Sequence, residues 1–361
     1  MEPAKRLAVA GKSVTIRDVA ARARASAGTV SRVLNGAANV KDAVRRRVEA
    51  AIHELQYVPN AQARALSSNA FRTVAAVIPT IRNLNFVIFV RALQESLARD
   101  GYTLLLSTHE YDMQLELDEV RAFLARGLDG VVLVGQEHLP GLYAALAQRH
   151  MPYVTSWTLP REQSSECVGV DNFDAAARLT RYLLDLGHRE FAVVASLTPA
   201  NDRNALRLEG VKAELGRAGI ELADERILEG TGSIEEGKLA IRQLAAWQRR
   251  PTAVICVNDF LAFGALLECE ALGIAVPAEL SIAGFGDIQF ACDTQPPLTT
   301  VRMPAADMGR FAAESLVRAM KRGDEAGRDA AVLRLEAPLI VRGSTGRARV
   351  PVADEVVQRQ G

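Results

Sequence analysis

The 361-residue chain is poor in the residues that build cofactor, metal and disulfide sites. Its four cysteines show no CxxC spacing and its five histidines are scattered, which indicates neither a zinc site nor a disulfide framework. The sequence contains no Gly-rich phosphate loop and no GxSxG elbow, and no apolar run approaches ~18 residues. We therefore expect isolated buried thiols in a reducing compartment, no cofactor, no metal, no membrane span and no enzymatic activity.

The chain also lacks net charge, but its charges are unevenly placed. It has 43 Lys and Arg against 43 Asp and Glu. Residues 1–72 hold thirteen of the basic residues and only five of the acidic ones, a net charge of +8, so the remainder carries −8. This pattern indicates a basic module attached to a mildly acidic body. The apolar run 7–10 near the start is too short for a signal peptide, so we expect a cytoplasmic protein.

The basic segment reads as short helices. Thr15 is a predicted N-cap, with Asp18 three residues on in the position of a capping box. Ser26 is predicted to cap a second helix that ends at Asn35-Gly36. A third helix is predicted over 42–56, and a short fourth one over 61–67, after Asn60.

The first two predicted helices are joined by a turn short enough for a helix-turn-helix motif, whose second helix enters the major groove of DNA. Thr29, Ser31 and Asn35 on that helix suit phosphate oxygens, and Arg32 can form a bidentate fork with a guanine. The alternative is a generic three-helix core with a solvated arginine.

From residue 73 onward, short apolar runs alternate with helical patterns. This alternation predicts parallel βαβ units, and its length predicts two doubly wound α/β lobes. Residues 344–361 read as a polar tail. The predicted strands are 73–78, 103–107, 130–134, 153–157, 191–195, 253–257 and 280–283, and the predicted helices are 86–99, 116–126, 141–149, 173–186, 204–218, 235–249 and 260–272.

Seven segments resemble the lactose-repressor (LacI/GalR) family of bacterial transcription regulators, in the family's order. The resemblance implies a helix-turn-helix domain over 14–59, a hinge over 60–72, and a two-lobed effector-binding and dimerisation domain, like periplasmic binding proteins, over 73–343. The segments are 14–20 (VTIRDVA), 28–35 (GTVSRVLN), 57–66 (YVPNAQARAL), 168–172 (VGVDN), 258–259 (ND), 281–285 (SIAGF) and 297–301 (PLTTV).

The resemblance also implies roles for matched residues in a homodimer on a pseudo-palindromic operator. Leu66 of the hinge helix corresponds to the side chain that wedges into the minor groove, although it could instead pack against a lobe. Ala27 and Gly28 replace larger base readers, and Lys41 stands where many relatives have a serine cap. The implied DNA-binding residues are Thr15, Ser26, Ala27, Gly28, Thr29, Ser31, Arg32, Asn35, Tyr57, Asn60, Ala63 and Leu66.

The family's effector binds between the lobes, and segments around 134–138, 156–157, 171–173 and 283–287 are similar to gluconate-repressor-like members. This similarity suggests a sugar or sugar acid, with its carboxylate near Arg207 and His138. Arg207 could instead form a surface ion pair, Trp157 could be a core residue, and His138 an ordinary loop residue. The implied effector-binding residues are Asn85, Phe86, Trp157, Arg207, Asn258 and Asp287.

The sequence therefore predicts an effector-controlled DNA-binding regulator, acting as a repressor. Whether the effector induces or co-represses stays open. The main alternative is a sugar-binding transport protein, which shares the two-lobed architecture but predicts a signal peptide and no basic headpiece.

Overall fold

A computed structural model describes residues 14–34, 37, 39–58, 70–160, 165–198, 200–322 and 331–349. The chain divides into two compact units, Met1–Arg72 and Thr73–Gly361. Each unit is built around its own buried residues, as the break in charge and pattern near residue 72 predicts.

The described part of the first unit is a small three-helix core. Val19, Val30 and Val48 are buried, one from each helix. The third helix ends two residues before the predicted position because Gln56 adopts a left-handed backbone conformation (φ 47°), which no α-helix can continue. The helices are α1 Ile16–Ala23, α2 Ala27–Leu34 and α3 Asp42–Glu54. The predicted helix over 61–67 lies outside the described residues.

The second unit contains two six-stranded sheets, one in each lobe. The sheet of the N-terminal lobe is parallel in the order β11-β5-β4-β3-β1-β2. The sheet of the C-terminal lobe has the order β12-β10-β9-β8-β6-β7, with only β12 antiparallel. The strands are β1 Thr73–Ile78, β2 Thr103–Thr108, β3 Gly130–Val134, β4 Tyr153–Thr158, β5 Glu166–Val170, β6 Phe191–Ala195, β7 Ile227–Glu229, β8 Ala253–Cys256, β9 Ser281–Gly286, β10 Thr299–Arg302, β11 Val332–Leu335 and β12 Leu339–Ile340.

Helices connect the parallel strands, and the chain passes between the lobes after β5, after β10 and between β11 and β12. As a result the last helix, although late in the sequence, packs on the first helix of the N-terminal lobe. The helices of this unit are α4 Leu84–Arg99, α5 Met113–Arg126, α6 Pro140–Gln148, α7 Asn172–Asp185, α8 Asp202–Arg217, α9 Ile234–Ala245, α10 Asp259–Leu272 and α11 Ala305–Arg322.

Glycines bring the most extensively packed helix pairs of this unit into backbone contact. A Cβ added to Gly210 of α8 would overlap the carbonyl oxygen of Phe173 in α7. Gly309 of α11 lies in the same way against Phe89 of α4, and Gly237 of α9 against Leu261 of α10. Any side chain at these positions would force the helices apart, so the packing of both lobes requires glycine there.

The seven predicted strands and the seven predicted helices of this unit are all present, with ends shifted by a few residues. Six further elements are not predicted by the sequence pattern: β5, β7, β10, β11, β12 and α11. Four of these six elements have four residues or fewer, which is too short to show a periodicity. Helix α11 does carry a signal, because Pro304 precedes apolar residues at helical spacing.

The boundary of the predicted tail lies later than residue 343. Ser344 is fully buried, and its hydroxyl donates to the Ile282 carbonyl (2.6 Å) and accepts from the Thr299 backbone N–H (2.8 Å). Residues 344–349 therefore belong to the packed C-terminal lobe, while 350–361 lie outside the described part of the chain.

The cysteines follow the expectation with one exception. Cys167, Cys256 and Cys269 are buried free thiols, whereas Cys292 is exposed, so the expectation of a buried thiol is wrong there. Cys292 closes a short 3-10 turn at the surface. No helix among the described residues is long and apolar enough to cross a membrane.

Helix α3 starts without a side-chain cap, since its N-cap residue Lys41 makes no capping hydrogen bond. We expect Lys41→Ser to stabilise α3 by about 1 kcal/mol, because a serine hydroxyl accepts from a free N–H group of the first turn. Slower hydrogen exchange of the α3 amides in the full-length protein would measure this gain.

Lys41→Ala is the matched control, since it removes the positive charge at the helix N-terminus without adding a cap. Equal hydrogen exchange in the serine and alanine variants would contradict the missing-cap explanation.

Candidate DNA interface and effector cleft

Helix α2 has one buried face and one face open to a partner. Val30 and Val33 are buried in the core of the first unit. Ala27, Gly28 and Arg32 are exposed, and Thr29 and Ser31 are half-buried. The side chains predicted to contact DNA thus lie on or beside the solvent face of the helix.

Local hydrogen bonds fix the start of this helix. The Ser26 hydroxyl accepts the Thr29 backbone N–H (3.1 Å) and lies 2.9 Å from the Thr29 hydroxyl. The Arg32 Nε donates to the Gly28 carbonyl of its own helix (3.3 Å).

The preceding helix, α1, is capped in a similar way. The Thr15 hydroxyl donates to the Asp18 carboxylate (2.7 Å), which also accepts the Thr15 backbone N–H (2.8 Å). Capped, short helices of this kind hold their exposed side chains in a defined direction.

The first unit itself does not require the glycine at position 28. An added Cβ would meet only the Ser26 hydroxyl, at 3.9 Å, and the backbone there is not left-handed. A glycine within a helix lowers its stability relative to alanine, and nothing in the described part of the unit explains one here. Its place on the exposed face is compatible with the close approach of an external backbone.

The remaining predicted DNA contacts are only partly described. Tyr57 is half-buried against the core of the first unit, and its backbone N–H donates to the Ile52 carbonyl (3.0 Å). Asn35, Asn60, Ala63 and Leu66 lie outside the described residues.

In the second unit, the carboxyl ends of the strands of both lobes face a shared cleft. A cavity of about 500 Å³ opens there. Ligands of doubly wound sheets bind at this edge, so the cavity is the candidate effector site. Its lining includes Thr80, Asn83 and Tyr111 of the N-terminal lobe and Ser196, Asn204 and Asn258 of the C-terminal lobe.

Arg207 lies behind this cavity and is only 7% exposed, so it is not the surface ion pair considered as an alternative. Its Nε donates to Asn172 Oδ1 (2.9 Å), and its Nη1 donates to the Val257 carbonyl (2.7 Å) and to Asn204 Oδ1 (3.2 Å). The guanidinium also stacks on Phe285, 3.8 Å from the ring centroid.

Every protein hydrogen-bond partner described for this guanidinium is neutral, and no carboxylate of the described residues forms an ion pair with it. Burial, reinforced by the positive charge of Arg203, lowers the pKa of Arg207 to about 9. A buried cation without a counter-ion is unfavourable, so the site would gain from an anionic ligand group.

The other predicted effector residues fall into two groups. Asn258 lines the cavity, and its side chain accepts the Leu261 N–H as the N-cap of α10. Asn85, Phe86 and Trp157 are buried, and Phe86 and Trp157 are part of the hydrophobic core. Phe86 and Trp157 pack with ring centroids 4.6 Å apart, which corresponds to the core-packing alternative for Trp157.

One contact of a predicted residue joins the two lobes, and another lies within the C-terminal lobe. The Asn85 side-chain amide donates to the Gly286 carbonyl (3.0 Å), joining α4 to the end of β9. Asp287 accepts from Arg302 Nε (2.6 Å) and from Arg342 Nη2 (2.7 Å), so its carboxylate is already neutralised.

Polar residues that the sequence did not predict as part of the site separate Arg207 from the cavity. Asn204 donates to the Ser196 carbonyl (3.0 Å) and lines the cavity together with Asn201. The available signal was spacing, since Asn204 precedes Arg207 by three residues and lies on the same face of α8.

His138 is not an ordinary loop histidine, and it is not among the described residues that line the candidate effector cavity. Its Nδ1 lies 2.9 Å from the Glu116 carboxylate, and both residues are buried in the N-terminal lobe. His109 adds a second buried imidazole 3.8 Å from the same carboxylate. Desolvation lowers the pKa of His109, so its ring is neutral at physiological pH.

Asp259 is buried beside the cleft. Its carboxylate accepts from the Thr300 hydroxyl (2.6 Å) and from the Ile288 N–H (3.0 Å). Burial raises the pKa of Asp259 to about 6, despite these hydrogen bonds. Asp259 is therefore a structural carboxyl that favours its protonated form more than a solvated aspartate does.

This raised pKa predicts a pH effect on stability. The folded protein binds the proton more tightly than the unfolded chain, whose aspartates titrate near pH 3.9. The stabilisation is complete below about pH 4 and is lost as the pH rises through about 6, a loss of roughly 2–3 kcal/mol.

Asp259→Asn removes this titration. The unfolding free energy of the wild type minus that of the variant should therefore fall by that amount from pH 4 to pH 7. Denaturant unfolding at each pH measures the difference. Parallel curves for the two proteins would contradict the assignment.

Known protein families match parts of both units. A model for "Bacterial regulatory proteins, lacI family" matches residues 15–60, and one for a "Periplasmic binding protein-like domain" matches residues 180–345. The HTH-type transcriptional repressor CytR of Escherichia coli K12 is 33% identical over 334 residues, which cover 92% of this chain and 96% of CytR.

Two solved structures agree with this relationship. The lac repressor dimer bound to operator and the anti-inducer ONPF has a TM-score of 0.82 at 25% identity, covering 93% of this chain and all of that one. The transcriptional regulator CelR in complex with cellobiose has a TM-score of 0.67 at 30% identity, covering 92% and 99%. Such relatives are DNA-binding transcription regulators and not enzymes. The chain therefore belongs to the lacI family of bacterial regulatory proteins.

Proposed function

We propose that this protein is a transcriptional repressor that binds a pseudo-palindromic operator as a homodimer and is controlled by a small-molecule effector. The observation that carries the proposal is α2, a capped helix that exposes Arg32 and Gly28 on the face opposite its buried valines. Two such helices in a dimer would enter successive major grooves. A cytoplasmic location fits this role.

In this proposal the contacts of α2 divide into positioning and reading. Ser26, Thr29 and Ser31 bind phosphate oxygens, which orient the helix without carrying sequence information. Arg32 turns from the Gly28 carbonyl to a guanine edge, since one 3.3 Å hydrogen bond on an exposed surface is readily exchanged. Ala27 and Gly28 let the helix backbone approach the bases closely.

In this proposal the segment 60–72 acts as the hinge between the helix-turn-helix domain over 14–59, the headpiece, and the two-lobed domain from residue 73, the sensor. Tyr57, Asn60 and Ala63 contact DNA near the operator centre, and Leu66 of each subunit wedges into the minor groove. A helix as short as the one predicted over 61–67 is marginal in water, so in this proposal DNA supplies the energy that stabilises it. Effector binding would change the lobe arrangement and so the spacing of the two hinges.

We further propose that the effector is a sugar acid of the gluconate type. The buried Arg207 with its neutral partners supports a carboxylate, and Asn258 and Asn204 supply amide groups for hydroxyls. Asn85, Phe86, Trp157 and Asp287 would support this site from behind its lining: Asn85 bonds to Gly286 of the other lobe, Phe86 and Trp157 pack together in the core, and Asp287 is paired with two arginines.

The first test of the DNA proposal is Arg32→Ala. Loss of one bidentate guanine contact should weaken operator binding by about 1–3 kcal/mol while binding to random DNA changes far less. Gel shift at fixed salt, on an operator selected from a random library, measures both affinities.

Arg46→Ala is the matched control, because Arg46 is an exposed arginine of α3 rather than α2. It should lower specific and nonspecific affinity together. Full operator affinity in Arg32→Ala would exclude the base-reading role.

The test of the effector proposal is a thermal-shift comparison of gluconate with glucose. A ligand at 100 times its Kd adds about 2.7 kcal/mol of stability, which is readily detected. We expect a shift with gluconate that Arg207→Gln abolishes, since the variant lacks the buried cation behind the cavity lining that favours a carboxylate there.

Arg242→Gln serves as control, because this half-exposed arginine pairs with Glu268 on the C-terminal lobe and should leave the gluconate shift unchanged. A panel in which only neutral sugars raise the melting temperature would contradict the sugar-acid proposal.

A further inference from the structure

A second, larger cavity lies between the lobes, with a volume of about 990 Å³. It shares only Asn201 with the candidate effector cavity. One wall comes from the ends of β3 and β4 and from α6, and the opposite wall from the start of α8. Its volume is that of a site for a small organic molecule.

The charge of this cavity is the reverse of that around Arg207. Glu137, Asp202 and Glu209 line it, and no lysine or arginine is among the described lining residues. Asp202 is committed to Arg203 Nη1 (2.8 Å) and the Gln136 N–H (2.7 Å). Glu137 and Glu209 are exposed and form no ion pair with any described residue, so both can receive a cation.

Two tyrosines supply aromatic surface in the same cavity. Tyr143 and Tyr153 lie with ring centroids 5.9 Å apart at an interplanar angle of 54°. The Tyr143 hydroxyl donates to the Gln136 carbonyl (3.2 Å), which holds the ring in place. Aromatic faces beside unpaired carboxylates are the arrangement that binds organic ammonium groups.

An unsatisfied hydroxyl also belongs to the lining. Thr158 is only 2% exposed, and its Oγ1 has no hydrogen-bond partner among the described residues. The Thr198 Oγ1 on the opposite wall is likewise buried without such a partner. Buried hydroxyls are normally paired, so both walls of the cavity keep unused hydrogen-bonding capacity.

We propose that this second cavity binds a small organic cation, an amine attached to an apolar or aromatic group. Glu137 and Glu209 attract its charge, the faces of Tyr143 and Tyr153 contact its apolar part, and Thr158 accepts a hydrogen bond from its N–H. Because both lobes form the walls, this ligand stabilises one lobe arrangement and thereby couples to the anionic effector.

Calorimetric titration of the full-length protein with phenethylamine, choline and putrescine tests the proposal. At least one should bind, and the Glu137→Gln, Glu209→Gln double variant should raise its Kd by about tenfold or more. Tyr143→Leu should weaken binding, whereas Tyr143→Phe, which keeps the ring, should not. No binding by any of the three amines, or amine binding that none of these variants alters, overturns the proposal.

Gluconate titration of the same proteins separates the two sites. The double glutamine variant should leave the gluconate Kd within about twofold, while Asn258→Ala should weaken gluconate and spare the amine. If the double variant instead changes only the gluconate affinity, the cavity belongs to the effector site and the second ligand is excluded. Failure of gluconate to bind at all tests only the proposed effector, since the amine result stands independently.

Discussion

Backbone contact between helices through glycine is the constraint on which both lobes depend. The contact of Gly210 with the Phe173 backbone sets how closely α8 approaches α7. Because the contact is with backbone atoms, no change of side-chain conformation could make room for a Cβ at position 210. The same contact positions the candidate effector site. Arg207 lies one turn before Gly210, and its hydrogen bond to Asn172, the residue before Phe173, exists because the two helices touch there.

The two units perform opposite electrostatic tasks. The headpiece needs an excess of positive charge to be attracted to phosphates, and the acidic remainder of the chain limits that attraction to one end. Within the sensor the local pattern is finer. A buried guanidinium bonded to neutral groups lies on one side of Asn201, and a carboxylate-lined cavity lies on the other. An anionic ligand would therefore favour the Arg207 side of the cleft, and a cationic ligand the carboxylate-lined cavity.

Much of the fold could be predicted from the sequence, and the reason is visible in particular elements. Strands such as β1 and β3 are apolar throughout because parallel strands are buried on both faces. By contrast, β10 is short and polar, and β11 is an exposed edge strand whose partner β5 is 162 or more residues away in the chain. Neither carries a local pattern that could have revealed it.

For the sites, the types of the residues involved could be predicted from the sequence better than their structural surroundings. The polar face of α2 follows from helical spacing alone. The bond of Arg207 to Asn172, the packing of Trp157 on Phe86 and the pairing of Asp287 with two arginines depend on contacts between residues far apart in the sequence, which no motif records. The second cavity likewise arises only when the walls of both lobes meet.

The repeated passage of the chain between the lobes has a consequence for how the protein is made. The sheet of the N-terminal lobe closes with β11 and its helix layer with α11, and 344–349 complete the C-terminal lobe. During synthesis neither lobe can finish folding until nearly the whole chain has left the ribosome. The headpiece core, made from residues 16 to 57, can fold long before. A nascent chain could thus present its DNA-binding helix before it possesses a sensor to control it.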